Sequence, residues 1–119
     1  DLLTGGSGRD RFDFDTVSQI GNSAATRDTI TDFQVRTDLI DLRDIDASIA
    51  LTGNNAFVFR GAGAITSSAS GELSFVQYDN AGTANDYTVL YGDIDGDTAA
   101  EFQIKLKGLI SLTATDFYL

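Results

Sequence analysis

The sequence predicts an all-β fold, in which the end of a parallel β-roll runs into an antiparallel, β-sandwich-like cap. Two observations predict it: a glycine-aspartate nonapeptide near the start of the chain, and several short stretches in which apolar and polar residues alternate. Proline is absent, and no stretch keeps the period of about 3.6 residues that an amphipathic helix requires. Many short strands without a long helix indicate the all-β class.

The nonapeptide spans residues 5–13 and fits the pattern G-G-x-G-x-D-x-U-x, where U is a large apolar residue. A partial copy precedes it, so that Asp1 corresponds to Asp10 and Leu3 to Phe12. Such glycines allow a tight turn with positive φ, and the apolar residue begins a strand that buries its side chain in a parallel roll. A chain that opens within a repeat is expected to be a piece of a longer protein.

Three residues of this repeat, Gly6, Gly8 and Asp10, are candidate calcium ligands. The turn directs backbone carbonyls to a common centre that the aspartate closes, and calcium takes about 6–8 oxygen ligands in flexible geometry. A roll site also takes oxygens from neighbouring turns, and Asp28 and Asp32 fall where the next turn would come. The alternatives are an ordinary glycine-rich turn, and aspartates that only cap a turn.

Later stretches read as strands, with turns between them. Two short helical segments are also expected, around residues 44–49 and after Thr113, where Thr113 and Asp116 have the spacing of a capping box. The predicted strands are residues 11–15, 38–42, 56–59, 72–78, 87–91 and 102–107.

A second acidic motif follows the fifth of these strands. Asp93, Asp95, Asp97 and Glu101 occupy positions 1, 3, 5 and 9 of a short loop, a spacing that calcium loops use because alternate residues project toward one ion. Thr98 stands at the sixth position, where such loops favour Gly. The motif therefore leaves two interpretations open, a calcium site and a solvated acidic turn.

The composition narrows the function. Lys and Arg number 8 against 18 Asp and Glu, a net charge of −10, which disfavours nucleic acid and anionic lipid and favours divalent cations as partners. His and Cys are absent, which excludes Ser-His-Asp and Cys-His catalysis and thiolate zinc sites. No apolar run reaches the roughly 18 residues of a membrane span. The catalytic alternatives that remain are a lysine-based enzyme and a carboxylate-only enzyme such as a glycosidase, and we expect no enzyme activity.

Taken in order, these motifs resemble those of RTX (repeats-in-toxin) proteins, and the residues after the repeat resemble the serralysin C-terminal domain. The likeness covers essentially the whole chain. Arg36, Thr98 and Glu101 depart from the family pattern, which has Gly, Gly and Asp there. The matching segments are Asp28-Thr29-Ile30-Thr31-Asp32-Phe33, Asp38-Leu39-Ile40-Asp41-Leu42, Gly71-Glu72-Leu73, Asp93-Ile94-Asp95-Gly96-Asp97 and Leu112-Thr113-Ala114-Thr115-Asp116-Phe117-Tyr118-Leu119.

The resemblance implies that residues 1–14 are the last turn or turns of a calcium-binding β-roll and that residues 15–119 form its cap in one structural unit. It implies a non-catalytic module secreted by a Gram-negative bacterium, with a C-terminal signal read by a type I (ABC-transporter) secretion machine. Calcium ions, the upstream domain of the same polypeptide and that machinery are the partners it implies, without membrane insertion.

One further function remains open on the residues alone, a calcium-dependent polysaccharide-binding or adhesive module that uses exposed aromatic side chains. Core packing is the expected place of these rings. Buried rings would favour the cap, and rings exposed along one sheet face would favour the binding module. The aromatic residues concerned are Phe57, Phe59, Phe75, Tyr78, Tyr87, Tyr91 and Phe102.

Overall fold

Short strands dominate the computed structural model of the chain, which describes residues 1–65, 71–80 and 85–119. Helical structure in these residues comprises a single α-helical turn, α1 (Val17–Ile20), and one 3₁₀ turn (Ala114–Asp116). The strands are β1 (Leu2–Leu3), β2 (Arg11–Asp13), β3 (Asp28–Ile30), β4 (Leu39–Asp41), β5 (Val58–Ala62), β6 (Glu72–Tyr78), β7 (Tyr87–Asp93), β8 (Phe102–Lys107) and β9 (Phe117–Tyr118).

The strands form two sheets. The larger has the order β1-β3-β8-β7-β6-β5, and the smaller has the order β2-β4-β9. Pairing is parallel along β1-β3-β8, throughout β2-β4-β9 and between β5 and β6, and antiparallel between β8, β7 and β6. The predicted all-β class is thereby confirmed. Strands from residues 1–14 share both sheets with later strands, while the division at residue 14 stays a prediction.

One apolar cluster joins the two sheets. Along β8 the side chains of Phe102, Ile104 and Leu106 are completely buried, whereas the residues between them are partly accessible. Phe12, Ile40 and Phe117 bring the smaller sheet into the same cluster. Full burial of such a side chain stabilises the fold by about 1.5–3 kcal/mol, so the strict alternation of β8 fixes which face turns inward.

Two local expectations need correction. Residues 44–49 form turns, since the carboxylate of Asp46 accepts the backbone N–H of Ser48 and Asn55 at 3.1 and 2.9 Å and so favours a loop over a helix. The third predicted strand, residues 56–59, lies instead at Val58–Ala62, where an irregularity between Phe59 and Gly61 shifts the pairing with β6. In the described ranges no helix has the length and apolar character that a bilayer span needs.

The chain ends as a strand of the smaller sheet. The predicted capping box is confirmed, with Thr113 and Asp116 bonded reciprocally at the 3₁₀ turn. Asp116 is fully buried, and its carboxylate also accepts the backbone N–H of Arg36 at 2.8 Å. Strand β9 then pairs with β4, and the backbone N–H of Leu42 donates to the carbonyl of Tyr118 at 3.0 Å.

Candidate calcium sites

The acidic loop, residues 93–101, connects β7 to β8. Its first carboxylate, Asp93, is the last residue of β7 and is completely buried, whereas Asp95 and Asp97 are exposed. Glu101 directly precedes the buried ring of Phe102. The loop is thus anchored at both ends in the antiparallel sheet.

The four carboxylates of the acidic loop converge. Each offers one oxygen, and these oxygens all lie within 4.8 Å of one another. Hydrogen bonds from the backbone orient two of these carboxylates. Asp93 accepts the N–H groups of Asp95 and Gly96 at 3.0 and 2.9 Å, and Glu101 accepts the N–H of Ile94 at 2.8 Å. The sequence prediction that these side chains lie together therefore agrees with the geometry, since alternate residues of the loop point to one centre.

The charges at this centre are incompletely balanced. Among the described residues, the buried Oδ2 atom of Asp93 has no hydrogen-bond donor. Burial raises the pKa of Glu101, and the neighbouring charges of Asp95 and Asp93 raise it further. Carboxylates that crowd each other in this way stabilise a bound cation, because the ion compensates both the repulsion and the missing donor.

Gly96 supplies the sharp bend of the acidic loop. Its φ is +84°, a left-handed conformation that glycine adopts without strain. Thr98, at the position where calcium loops favour glycine, does not have a positive φ. The bend comes two residues earlier than the calcium-loop pattern predicts, which explains why threonine is accommodated.

The glycine turn, residues 4–10, contains the first set of predicted ligands. Gly6 and Gly8 have φ of +95° and +115°, as the repeat predicts. Asp32 lies beside this turn, and its two carboxylate oxygens accept the N–H of Gly5 and Gly6 at 2.9 and 2.8 Å. These two hydrogen bonds lower the pKa of Asp32. In this arrangement Asp32 caps the turn, which was the alternative interpretation of that residue.

Asp10 closes the glycine turn from the other side. A side chain on Gly5 would lie 2.6 Å from Oδ2 of Asp10, so glycine is required there for close packing. That Oδ2 atom is buried without a hydrogen-bond donor in the described part of the chain. The backbone N–H of Asp10 donates to Asp38 at 3.1 Å. Asp38 was not among the predicted ligands, because its position beside the turn depends on the register of β2 against β4.

Asp28 lies away from this turn, at the start of β3. It is buried and accepts a hydrogen bond from the backbone nitrogen of Asp1. It lines a cleft with Asp13 and Gln19. The structure therefore separates Asp28 from Asp32, and the three residues Asp10, Asp28 and Asp32 do not form one of the acidic groups whose oxygens lie within 4.8 Å in the described ranges.

Another acidic group, Asp13, Asp15 and Asp44, was not predicted. All three side chains are exposed, and Asp13 is paired with Arg11 at 3.2 Å. In the sequence, only the two-residue spacing of Asp13 and Asp15 indicates this group. Asp44 is distant in the sequence and lies beside them because of the fold. Exposure and the pairing with Arg11 make it a weaker cation site than the acidic loop.

The donors of the acidic loop suit calcium. All are carboxylate oxygens, the ligand type that hard divalent ions prefer, and the loop combines one buried carboxylate with accessible ones. When bound there, calcium would offset part of the negative charge of Asp93, Asp95, Asp97 and Glu101 and tie the end of β7 to the start of β8.

Comparison with known proteins places the fold. The sequence matches the family described as "Peptidase M10 serralysin C terminal" over residues 1–119. No curated protein matches it. Among solved structures, the AlgE6R3 subunit of the mannuronan C5-epimerase of Azotobacter vinelandii is similar, with 24% identity and a TM-score of 0.57. That match covers 99% of this chain and 57% of the other, and it shows the fold.

Family and fold together support a calcium-binding module of the RTX type, non-catalytic as serralysin C-terminal modules are. The resemblance that the motifs indicated is confirmed over its full extent. The chain belongs to the peptidase M10 serralysin C-terminal family.

Proposed function

We propose that this chain is the calcium-binding, non-catalytic C-terminal module of a secreted protein, that calcium drives its folding outside the cell, and that its last residues are the type I secretion signal. The observation that carries the calcium role is the acidic loop, where four carboxylates converge and where a buried Asp93 oxygen has no donor in the described part of the chain. Asp10 in the glycine turn is the second candidate, also with a buried oxygen that lacks a donor among described residues.

Charge supports the folding role. A net charge of −10 opposes compaction, and most strongly at the acidic loop, where like charges are closest. Calcium is scarce in the cytosol and abundant outside, and extracellular modules bind it with dissociation constants of about 10⁻⁴–10⁻³ M. Each tenfold excess of calcium over its dissociation constant adds about 1.4 kcal/mol per site to the free energy of unfolding. The module would therefore stay loose inside the cell and fold after export.

The tail supports the export role. Strand β9 is two residues long and completes the smaller sheet only when β4 is in place. In an unfolded chain residues 112–119 would be free for a transporter to read. Deletion of these residues from the exported protein is expected to abolish type I secretion while leaving expression unchanged. Continued secretion of the deleted form would contradict the export role.

The exposed edges of the two sheets support the preceding part of the same polypeptide as a partner. β1 and β2 are edge strands of their sheets, and Leu2 on β1 is 74% exposed. Unpaired edges of this kind are usually covered in native proteins. A preceding roll turn of the same polypeptide would pair with both strands and bury Leu2.

A calcium titration after chelation tests the folding role. Far-UV circular dichroism and thermal unfolding would be followed with calcium and, separately, magnesium. The variants are Asp95→Asn in the acidic loop and Asp79→Asn as a control, which removes one exposed carboxylate outside it. We expect calcium to raise the unfolding temperature of the native chain and the control alike, with magnesium much less effective.

For Asp95→Asn we expect at least about a tenfold higher calcium requirement, since one ligand is lost. If the chain is fully folded without calcium, the folding role is wrong. If both variants respond to calcium as the native chain does, calcium acts elsewhere than at the acidic loop.

A further inference from the structure

The outer face of the larger sheet differs from the rest of this acidic molecule. It carries three of the four tyrosines and both lysines. Tyr87 lies directly opposite Lys107, and Tyr91 opposite Gln103, so these side chains share the face turned away from the core. We call this set the tyrosine face; its residues are Arg27, Tyr78, Tyr87, Tyr91, Gln103, Lys105 and Lys107.

The tyrosines form a continuous group. The rings of Tyr78 and Tyr87 stack with centroids 4.8 Å apart, and the hydroxyls of Tyr78 and Tyr91 hydrogen-bond at 2.6 Å. All three side chains are partly accessible, whereas Phe57, Phe75 and Phe102 are buried. Core packing, expected for all of these rings, holds for Phe57, Phe75 and Phe102, and Phe59 packs against the core while partly buried. The three tyrosines lie outside the core.

The cations of this face lie against rings instead of carboxylates. Lys105 Nζ is 4.6 Å from the centroid of Tyr87, and Arg27 Cζ is 5.6 Å from it. Within the residues described, neither Arg27 nor either lysine has a carboxylate within 4.0 Å, in contrast to Arg11, Arg43 and Arg60. Cation–π contacts position a charge without neutralising it. In a chain of net charge −10, cations that form no ion pair among the described residues are available to an anion.

Clefts flank the stacked rings on both sides. One of about 480 Å³ is lined by Tyr87, Lys105 and Lys107, with Thr29 and Asp86 among others. One of about 260 Å³ is lined by Tyr78, Tyr91 and Gln103, with Thr98 and Ala100 of the acidic loop among others. These volumes approach or fall within the range of small-ligand sites, roughly 300–1,000 Å³. Their walls combine aromatic rings with amide and hydroxyl groups, so they offer both stacking and hydrogen bonding.

We propose that the tyrosine face binds an acidic polysaccharide. Carboxylates borne on sugar rings would pair with Lys105, Lys107 and Arg27, the rings would pack on the accessible tyrosines, and sugar hydroxyls would bond to groups such as Gln103 and Thr29. An acidic peptide such as polyglutamate would pair with the cations but has no sugar rings to pack on the tyrosines. The proposal is distinct from the calcium-driven folding described above, because none of the residues that define the tyrosine face is a proposed calcium ligand.

Isothermal titration calorimetry of the calcium-loaded chain tests it with three polymers: polygalacturonate, the neutral glucan dextran, and polyglutamate. We expect binding of polygalacturonate, no binding of dextran, and weaker binding of polyglutamate. The double variant Lys105→Gln/Lys107→Gln is expected to weaken polygalacturonate binding roughly tenfold or more, since two charge-assisted contacts are lost. The matched control is Arg9→Gln/Arg36→Gln, which removes two exposed arginines elsewhere and should leave binding unchanged.

Three results would overturn the proposal: no binding of polygalacturonate, equal binding of polyglutamate, or equal binding by the lysine variant and the native chain. Calcium itself can bridge two sets of carboxylates, so Asp95→Asn is included. Binding lost in that variant but kept in the lysine variant would place the polymer at the acidic loop and also overturn the proposal. Circular dichroism and thermal unfolding of each variant would verify the fold, and a failure of the calcium response would be seen there separately.

Discussion

The parallel and antiparallel parts of this molecule differ in how their carboxylates are grouped. In the parallel part, β1 to β4 and β9, strands are two or three residues long. There single carboxylates stabilise the loops by accepting backbone N–H groups. Asp32 accepts those of Gly5 and Gly6, and Asp38 accepts those of Asp10 and Gln34. These aspartates replace the hydrogen bonds that short strands cannot supply.

In the antiparallel part, β6 to β8, strands are six or seven residues long and carry their own ladder. The carboxylates of the acidic loop between β7 and β8 also accept backbone N–H groups, but four of them converge on one centre. A buried Asp93 oxygen there has no donor in the described residues. The contrast shows that acidic content alone does not define a cation site. What matters is whether several carboxylates converge on one point, as they do in the acidic loop.

The strongest test of this contrast is Phe102→Ala. The ring of Phe102 is fully buried and covers Gly92, where a side chain would lie only 2.1 Å from it. We expect a loss of about 3–5 kcal/mol in the free energy of unfolding, measured by chemical denaturation in saturating calcium. Because Phe102 supports β8, which also pairs with β3, both parts should unfold together. Retention of a folded parallel part would contradict this coupling.

Asp38→Ala addresses the parallel part. Asp38 is 1% exposed and accepts the N–H of Asp10 and Gln34 at 3.1 and 2.9 Å. Its removal leaves two partly buried donors unsatisfied, with an expected cost of about 1–3 kcal/mol. If the Asp38 carboxylate only accepts backbone hydrogen bonds and binds no calcium, the calcium dependence of the unfolding temperature should be the same in this variant as in the native chain. A raised calcium requirement would instead make Asp38 a ligand.

Arg36→Gly is expected to stabilise the same part. Arg36 has a φ of +65°, the only positive φ of a non-glycine residue in the described ranges, and it occupies the position at which the family pattern has glycine. Relief of left-handed strain should raise the free energy of unfolding by about 0.5–1 kcal/mol, offset in part by the larger entropy of an unfolded glycine. Arg36→Ala, which keeps the strain while removing the charge, is the control. Equal effects of the two variants would assign the gain to charge.

Local patterns accounted for much of the fold and for one site. β6 and β8 lie where their alternation predicts, and the four carboxylates of the acidic loop are close because they lie within nine residues of the chain. β1 and β3 were not predicted, since two or three residues are too few to show a period. Arg36 was recognised as a departure from the family pattern, but its backbone conformation was not.

Contacts between segments that are distant in the sequence could not be predicted. Asp116 meets the backbone of Arg36 80 residues away, and the tyrosine face combines β6, β7 and β8 with Arg27. The register of β3 decides that Asp32 reaches the glycine turn and that Asp28 does not. Such placements follow from strand pairing, which the residue pattern of one segment does not encode.

Tyr78→Phe is the mildest test, and it concerns the antiparallel part. Burial, and next the hydrogen bond with Tyr78, raise the pKa of Tyr91 to about 12. The folded state thus favours neutral Tyr91, so stability should be constant below a pH of about 10, the usual tyrosine pKa, and fall as the pH rises toward 12. Without the Tyr78 hydroxyl the pKa of Tyr91 should drop part of the way, because burial persists. Ultraviolet titration of tyrosinate measures this, with Tyr118→Phe, which removes an exposed tyrosine, as control. An unchanged high-pH transition in Tyr78→Phe would mean that burial alone holds Tyr91 neutral.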